Sequence, residues 1–143
     1  MDKVYVIFWT QGGNTGQMAQ AVADGVTAAG KEVVFWQPGQ ANIEELKNAA
    51  GFAMGCPAMG DEVLEESEME PFVAEVEGIV SGKTVALFGS YGWGDGQWMR
   101  DWTERMKNAG ATVVGGAGVI AHEAPDAEAV LACNELGKAL ANL

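Results

Sequence analysis

Six consecutive residues, Val4-Tyr5-Val6-Ile7-Phe8-Trp9, carry no charge and show no alternation between apolar and polar positions. A run of this kind fits a strand covered on both faces, which is the usual condition of a parallel sheet flanked by helices. Four more strand-like stretches follow, at Glu32–Trp36, Ala49–Cys56, Thr84–Phe88 and Thr112–Ala121. Segments with helical spacing separate them. Asn14 to Ala29 places Met18, Val22, Val26 and Ala29 on one stripe and closes on Gly30, a natural residue just past a helix end. Asn42 is placed to cap a short helix through Lys47, and a longer helix is expected from about Glu65, with Phe72, Val76, Ile79 and Val80 inward and Ser81-Gly82 ending it. Gln97 to Ala109 aligns Trp98, Trp102 and Met106, and a last helix begins near Pro125 with Val130, Leu136 and Leu140 inward. Strands alternating with helices predict an α/β fold: a doubly wound five-stranded parallel sheet in the order 2-1-3-4-5. At 143 residues the chain is the size of one domain, spanning 1–143.

The net charge of −12 argues against nucleic acid and anionic membrane surfaces, which bind through clustered Lys and Arg, and points to basic partners instead. No apolar run approaches the ~20 residues of a membrane span, and the first one leads into Thr10-Gln11-Gly12 rather than a cleavage site, so a cytoplasmic protein is expected. Cys56 and Cys133 form no C-x-x-C pair and read as reduced core thiols. No metal-ligand cluster, Ser-His-Asp set or Cys beside a base is apparent. A phosphorelay receiver would need an acidic pair after the first strand and a lysine after the fifth, where this chain has Trp9-Thr10 and His122.

In doubly wound sheets ligands bind at the carboxyl ends of the strands where the order reverses, which here means the loops after strands 1, 3 and 4. Thr10-Gln11-Gly12-Gly13-Asn14-Thr15 sets backbone N–H groups and two hydroxyls at a helix N-terminus, a place for a phosphate. It lacks the lysine of a Walker loop, and its glycine spacing does not match G-x-G-x-x-G. Cys56-Pro57-Ala58-Met59-Gly60-Asp61-Glu62 is a turn whose Gly60-Asp61 pair suits both a type II and a type II′ turn. A peptide able to flip between the two offers a carbonyl or an N–H to the same neighbour, which suits N5 of a flavin. Behind it lies an acidic stretch, Asp61, Glu62, Glu65, Glu66, Glu68 and Glu70. In Gly89-Ser90-Tyr91-Gly92-Trp93-Gly94-Asp95-Gly96 a tryptophan among glycines is suited to lie over a planar ligand, with a plug beneath the loop as the other reading. Trp98 and Trp102, at helical spacing, read as core.

Together these loops resemble the short-chain flavodoxins, the clostridial type above all. The resemblance spans essentially the whole chain and is most specific from 56 to 105, in Ala58-Met-Gly-Asp-Glu-Val-Leu-Glu-Glu-Ser-Glu68, Glu70-Pro71-Phe72, Val85-Ala-Leu-Phe-Gly-Ser-Tyr-Gly-Trp-Gly-Asp-Gly96 and Trp98-Met-Arg-Asp101. It implies a low-potential one-electron carrier with one noncovalent FMN, cycling mainly between semiquinone and hydroquinone. By that resemblance Thr10, Gln11, Gly12, Gly13, Asn14 and Thr15 hold the phosphate, Ala58 lines the turn, and Met59 and Trp93 cover the two faces of the ring. Gly60-Asp61 is the peptide at N5, Glu62 accepts from the N3 side, and Ser90, Tyr91, Gly92 and Gly94 line the flavin. Partners would be basic-surfaced redox proteins docking on the acidic flavin edge, with the carrier a monomer. One departure stands out: the family's first loop usually reads T/S-x-T-G-x-T, and this chain has Gln11-Gly12 there. Two other functions compete, an FMN-dependent quinone or NAD(P)H oxidoreductase and a binding module that has lost its flavin.

Overall fold

The apolar run at the N-terminus does form a central strand. In the computed structural model, which describes residues 2–143, the elements in chain order are β1 (Lys3–Phe8), α1 (Asn14–Ala28), β2 (Glu32–Trp36), α2 (Ile43–Lys47), β3 (Gly51–Gly55), α3 (Met69–Glu77), β4 (Thr84–Tyr91), α4 (Gln97–Asn108), β5 (Thr112–Val113), β6 (Val119–His122) and α5 (Ala127–Ala141). All strand pairs are parallel, in the order β2-β1-β3-β4-β5, with β6 also paired to β4. The expected order is therefore observed, with one strand more than expected.

Alternation along the buried strands sends successive side chains to opposite layers. Tyr5, Ile7, Phe52, Met54, Val85 and Leu87 meet α3 and α4 through Phe72, Val76, Trp98, Trp102 and Met106. Val4, Val6, Ala53, Ala86 and Phe88 meet α1 and α5 through Met18, Val22, Cys133, Leu136 and Leu140. Both Trp98 and Trp102 are core residues, as their spacing implied, and both cysteines are buried and free. Burial pushes each thiol up to about 12, so neither is a thiolate near neutral pH.

Several boundaries differ from the sequence expectation, β3 among them, which runs Gly51–Gly55 rather than Ala49–Cys56. The fifth strand is split: Val114–Gly116 forms a 3₁₀ turn in which Gly115 and Gly116 have φ of 73° and 83°, and the chain returns to β4 as β6. That second pairing, Phe88 to Val119 through Tyr91 to His122, carries β4 three residues past Phe88 into what reads as a glycine loop. Helix α3 starts at Met69 rather than Glu65, because the Glu65 side chain is spent on the helix start, and it stops at Glu77, leaving Ile79 and Val80 in the following turn. The Asn42 cap is as expected, its Oδ1 accepting from the Glu45 N–H at 3.2 Å.

Helices α1 and α5 pack at backbone distance. A Cβ on Gly137 would collide with the Val22 carbonyl, and one on Gly25 with the Asn134 carbonyl. Alanine is the better helix former by about 0.8–1 kcal/mol, but overpacking a rigid contact costs about 1–3 kcal/mol. Gly137→Ala is therefore expected to destabilise the protein by about 1–2 kcal/mol in urea unfolding; a gain in stability would show that the two helices separate freely.

Candidate functional site

Three loops meet at the carboxyl ends of β1, β3 and β4, and one buried residue joins them. Ser90, near the end of β4, accepts from the Ala58 N–H at 3.0 Å through its carbonyl and donates its N–H to Thr15 Oγ1 at 3.3 Å. Its hydroxyl donates to the Glu123 carbonyl at 2.7 Å, bringing in a fourth loop, after β6. The resulting cleft is lined by Gln11, Asn14, Thr15, Pro57, Ala58, Met59, Ser90, Tyr91, Gly92 and Glu123.

The first loop has the free donors of an anion cradle. Helix α1 has no side-chain cap and no acidic residue in its first turn, and Gly12 and Gly13 stand at φ of 75° and 89°. Among the described residues, the N–H groups of residues 11–15 have no protein acceptor. Thr10 Oγ1 accepts from the Gly16 N–H at 3.1 Å, and Thr15 Oγ1 accepts from Ser90, so both hydroxyls keep their protons to donate. Unpaired donors at a helix N-terminus are what a phosphate requires.

The second loop is closed by an isolated antiparallel pair: Met59 and Val63 exchange N–H···O bonds of 2.8 and 2.9 Å. Gly60 at the first corner has φ of 48° while Asp61 is not left-handed, the sign pattern of a type II′ turn. Glu62 is one of only two non-glycine residues among those described with positive φ, at 58°. Its Oε1 accepts from the Asp95 N–H at 2.8 Å and occupies the space a Cβ on Gly94 would need, so the turn is strapped to the third loop. Trp93 in that third loop is 64% exposed, which excludes the plug beneath the loop. Thr10, Gly12, Gly13, Gly60, Asp61, Glu62, Trp93 and Gly94 stand around the cleft rather than lining it.

Two cleft residues were not among the expected ones. Pro57 begins the second loop, and Glu123, at φ of 60°, follows β6. The signal for Glu123 was present: the carboxyl-end rule applies to the fifth strand as it does to the others.

The acidic stretch behind the turn is less free than it reads. Glu65 is buried, with Oε1 accepting from the N–H groups of Glu68 and Met69 at 2.8 and 3.0 Å and Oε2 from the N–H of Ser67 at 2.8 Å and the Ser67 hydroxyl. Burial alone would raise its pKa, but these donors outweigh it and lower the pKa from 4.5 to about 2. Glu70 forms a two-pronged pair with Arg105 at 2.8 and 2.7 Å, and Arg105 also binds Glu77. The exposed carboxylates nearest the turn are thus Asp61 and Glu66.

A doubly wound sheet with an uncapped helix start and unpaired N–H groups beside a strapped turn, all at the carboxyl ends of its strands, has the form of a nucleotide-binding protein of the parallel α/β class. Similarity to known proteins narrows this. The flavodoxin family model matches residues 6–135. A flavodoxin of Clostridium beijerinckii is 50% identical over 96% of this chain and 99% of its own length, and one of Megasphaera elsdenii is 42% identical over 96% and 98%. The solution structure of two-electron-reduced Megasphaera elsdenii flavodoxin superposes with a TM-score of 0.88 at 40% identity, covering 98% of this chain and 99% of that one. The chain belongs to the flavodoxin family, FMN-binding electron carriers rather than enzymes, and the clostridial resemblance read from residues 56–105 is borne out.

Glu65 also sets a pH response. Its folded pKa lies below its unfolded value, so its contribution is fully present above about pH 4.5 and lost as pH falls towards 2. Glu65→Ala is expected to lose on the order of 2 kcal/mol at pH 7 and much less near pH 2, as read by urea unfolding at the two pH values; an equal loss at both would assign the effect to packing.

Proposed function

We propose that this chain is a low-potential carrier that binds one FMN noncovalently in a single domain, residues 1–143, and moves between the one-electron- and two-electron-reduced states of that cofactor. The observation that carries this reading is the set of unpaired N–H groups at 11–15 beside a cleft lined by Gln11, Asn14, Thr15, Ala58, Met59 and Tyr91, with the strapped turn and the exposed tryptophan standing around it. Bound FMN supplies the one-electron chemistry, and the protein supplies binding, orientation and local charge.

In this reading Thr10, Gln11, Gly12, Gly13, Asn14 and Thr15 hold the phosphate through N–H and hydroxyl donors, without a cation. Position 12 offers its N–H alone, and the missing hydroxyl contact removes about 1–2 kcal/mol, or about tenfold in affinity. Met59 covers one face of the ring and Trp93 the other; Ala58, Ser90, Tyr91, Gly92 and Gly94 line it. The Gly60-Asp61 peptide, able to flip between two turns, would offer the ring nitrogen either a carbonyl or an N–H, and Glu62 would accept from the pyrimidine edge. The net charge of −12 and the free carboxylates Asp61 and Glu66 disfavour a further negative charge on the ring and attract basic redox proteins to that edge. The carrier works as a monomer in the cytoplasm; among the described residues no helix is long and apolar enough to cross a membrane.

Titrating FMN into the purified protein is expected to give bound-flavin bands, and stepwise anaerobic reduction a long-wavelength absorbance from the one-electron-reduced cofactor. Absence of binding would overturn the reading in favour of a module without flavin. Gly60→Val, which disfavours positive φ by about 1–2 kcal/mol, is expected to lower that long-wavelength yield about tenfold; an unchanged yield would remove the peptide flip. Raising the salt concentration is expected to shift the second potential upward by screening the carboxylates, and an unchanged potential would assign the effect to groups touching the ring.

A further inference from the structure

Strand β6 lies at an edge of the sheet, with β4 as its ladder partner from Phe88–Val119 to Tyr91–His122. The Glu123 N–H donates to the Tyr91 carbonyl at 2.8 Å, which fixes the side that each backbone group of β6 faces. Along a strand the N–H and C=O of one residue share a side and those of the next point the other way, so Val119 and Ala121 face β4 and Ile120 and His122 face outward. Among the described residues the backbone N–H and C=O of Ile120 and His122 have no protein partner, and both residues are exposed. Sheet edges are usually blunted by lysine, proline or a covering segment. The strand Val-Ile-Ala-His carries neither residue.

Beside this edge runs a groove of about 310 Å³ between β6 and the first turns of α5. Val119, Ala121, Ala129 and Ala132 give it short walls, which let another backbone come close. The carboxylates Asp126 and Glu128 line it as well and are exposed. Asp126 Oδ1 accepts from the Ala129 N–H at 2.8 Å, and Oδ2 is left free. Among the described residues neither carboxylate is in an ion pair, and no Lys or Arg lines the groove. Two whole negative charges outweigh the roughly +0.5 charge at the start of α5, so the groove favours a cation.

We propose that the free edge of β6 is a docking slot for an extended basic segment of a partner protein, which adds to the sheet as a further strand and sets Lys or Arg side chains against Asp126 and Glu128. The outward N–H and C=O groups of Ile120 and His122 supply the main-chain bonds, as in other cases of strand addition. A helix spends its own backbone groups internally and cannot supply the matching partners, so the segment is extended. Its side chains alternate between two faces. Those on the α5 side pass over Ala129 and Ala132 towards the carboxylates, and those on the other side meet Ile120, an isoleucine 37% exposed. The segment therefore alternates basic and apolar residues. A second copy of this chain is disfavoured by its own charge of −12. Glu123, the residue after β6, lines the cleft, so the segment would hold its protein beside the third loop. That last consequence rests on the FMN reading; the slot does not.

The probe is a heptapeptide of alternating lysine and valine, titrated into the full chain with and without FMN while amide exchange is followed by NMR. At saturation the Ile120 and His122 amides are expected to exchange about tenfold more slowly, with the largest shifts along β6 and the start of α5. The same peptide N-methylated throughout, which keeps the charge and loses the donors, is expected to give no protection, and so is a peptide with glutamate in place of lysine. Asp126→Asn combined with Glu128→Gln keeps a capping side chain on α5 and is expected to weaken binding about threefold to tenfold, with the urea midpoint as the check that the fold is intact. Absence of binding would overturn the slot. So would equal binding of the N-methylated peptide, or unmoved exchange at positions 120 and 122, since either would reduce the contact to charge alone. Protection of these two amides that rises with protein concentration, without peptide, would give the edge to a second copy and overturn the proposal as well. Failure to bind FMN would overturn the functional reading and leave this test unaffected, and loss of the slot would leave the FMN reading standing.

Discussion

A parallel sheet is stable only when both of its faces are covered, and nearly everything in this chain follows from meeting that condition. Strands β1, β3 and β4 carry apolar side chains on both sides, and one helix layer answers each side. Because every strand runs the same way, every strand-to-helix loop emerges at one end. The cleft is thus a by-product of topology before it is a product of side chains. The backbone-distance contact of α1 on α5 lies on the layer whose N-terminal end carries the unpaired N–H groups of residues 11–15, so tight packing far from the cleft fixes where those groups point.

Within that frame the site is held by few contacts of high value. Ser90 is buried and joins the loops after β1, β3 and β6 to β4 with three hydrogen bonds. Glu62 adds a strap from the turn to the third loop. These bonds bring polar groups into a site where each unsatisfied donor would cost about 1–3 kcal/mol. Among the described residues the N–H groups of 11–15 are left unpaired at the start of α1, where an anion would satisfy them.

Charge is arranged as carefully as packing. The acidic stretch at 61–70 reads as one solvated face, yet its members have separate tasks. Glu65 caps a helix, Glu70 anchors Arg105, Glu62 straps two loops, and Asp61 and Glu66 remain to shape the field at the cleft. Sequence spacing places all of them on one stretch of chain but does not say which carboxylate meets a donor. That depends on where the backbone turns between Met59 and Met69.

The sequence by itself determined the architecture, because buried strands, helical stripes and capping residues are local properties written in runs such as Val4–Trp9 and in residues such as Asn42. It also determined the three loops and the family, since Ala58–Glu62 and Ser90–Gly94 carry their own turn chemistry. Tertiary structure alone decided the split of the fifth strand, the extension of β4 to Tyr91, the burial of Glu65, the entry of Glu123 into the cleft lining and the contact of His122 with Gly92. Each of these depends on a partner met only in the folded chain: β6 for Tyr91, the start of α3 for Glu65, and Tyr91 and Gly92 for Glu123 and His122. Pairings of that kind leave no periodic mark on the chain, since the energy that selects them exists only once the two segments have met.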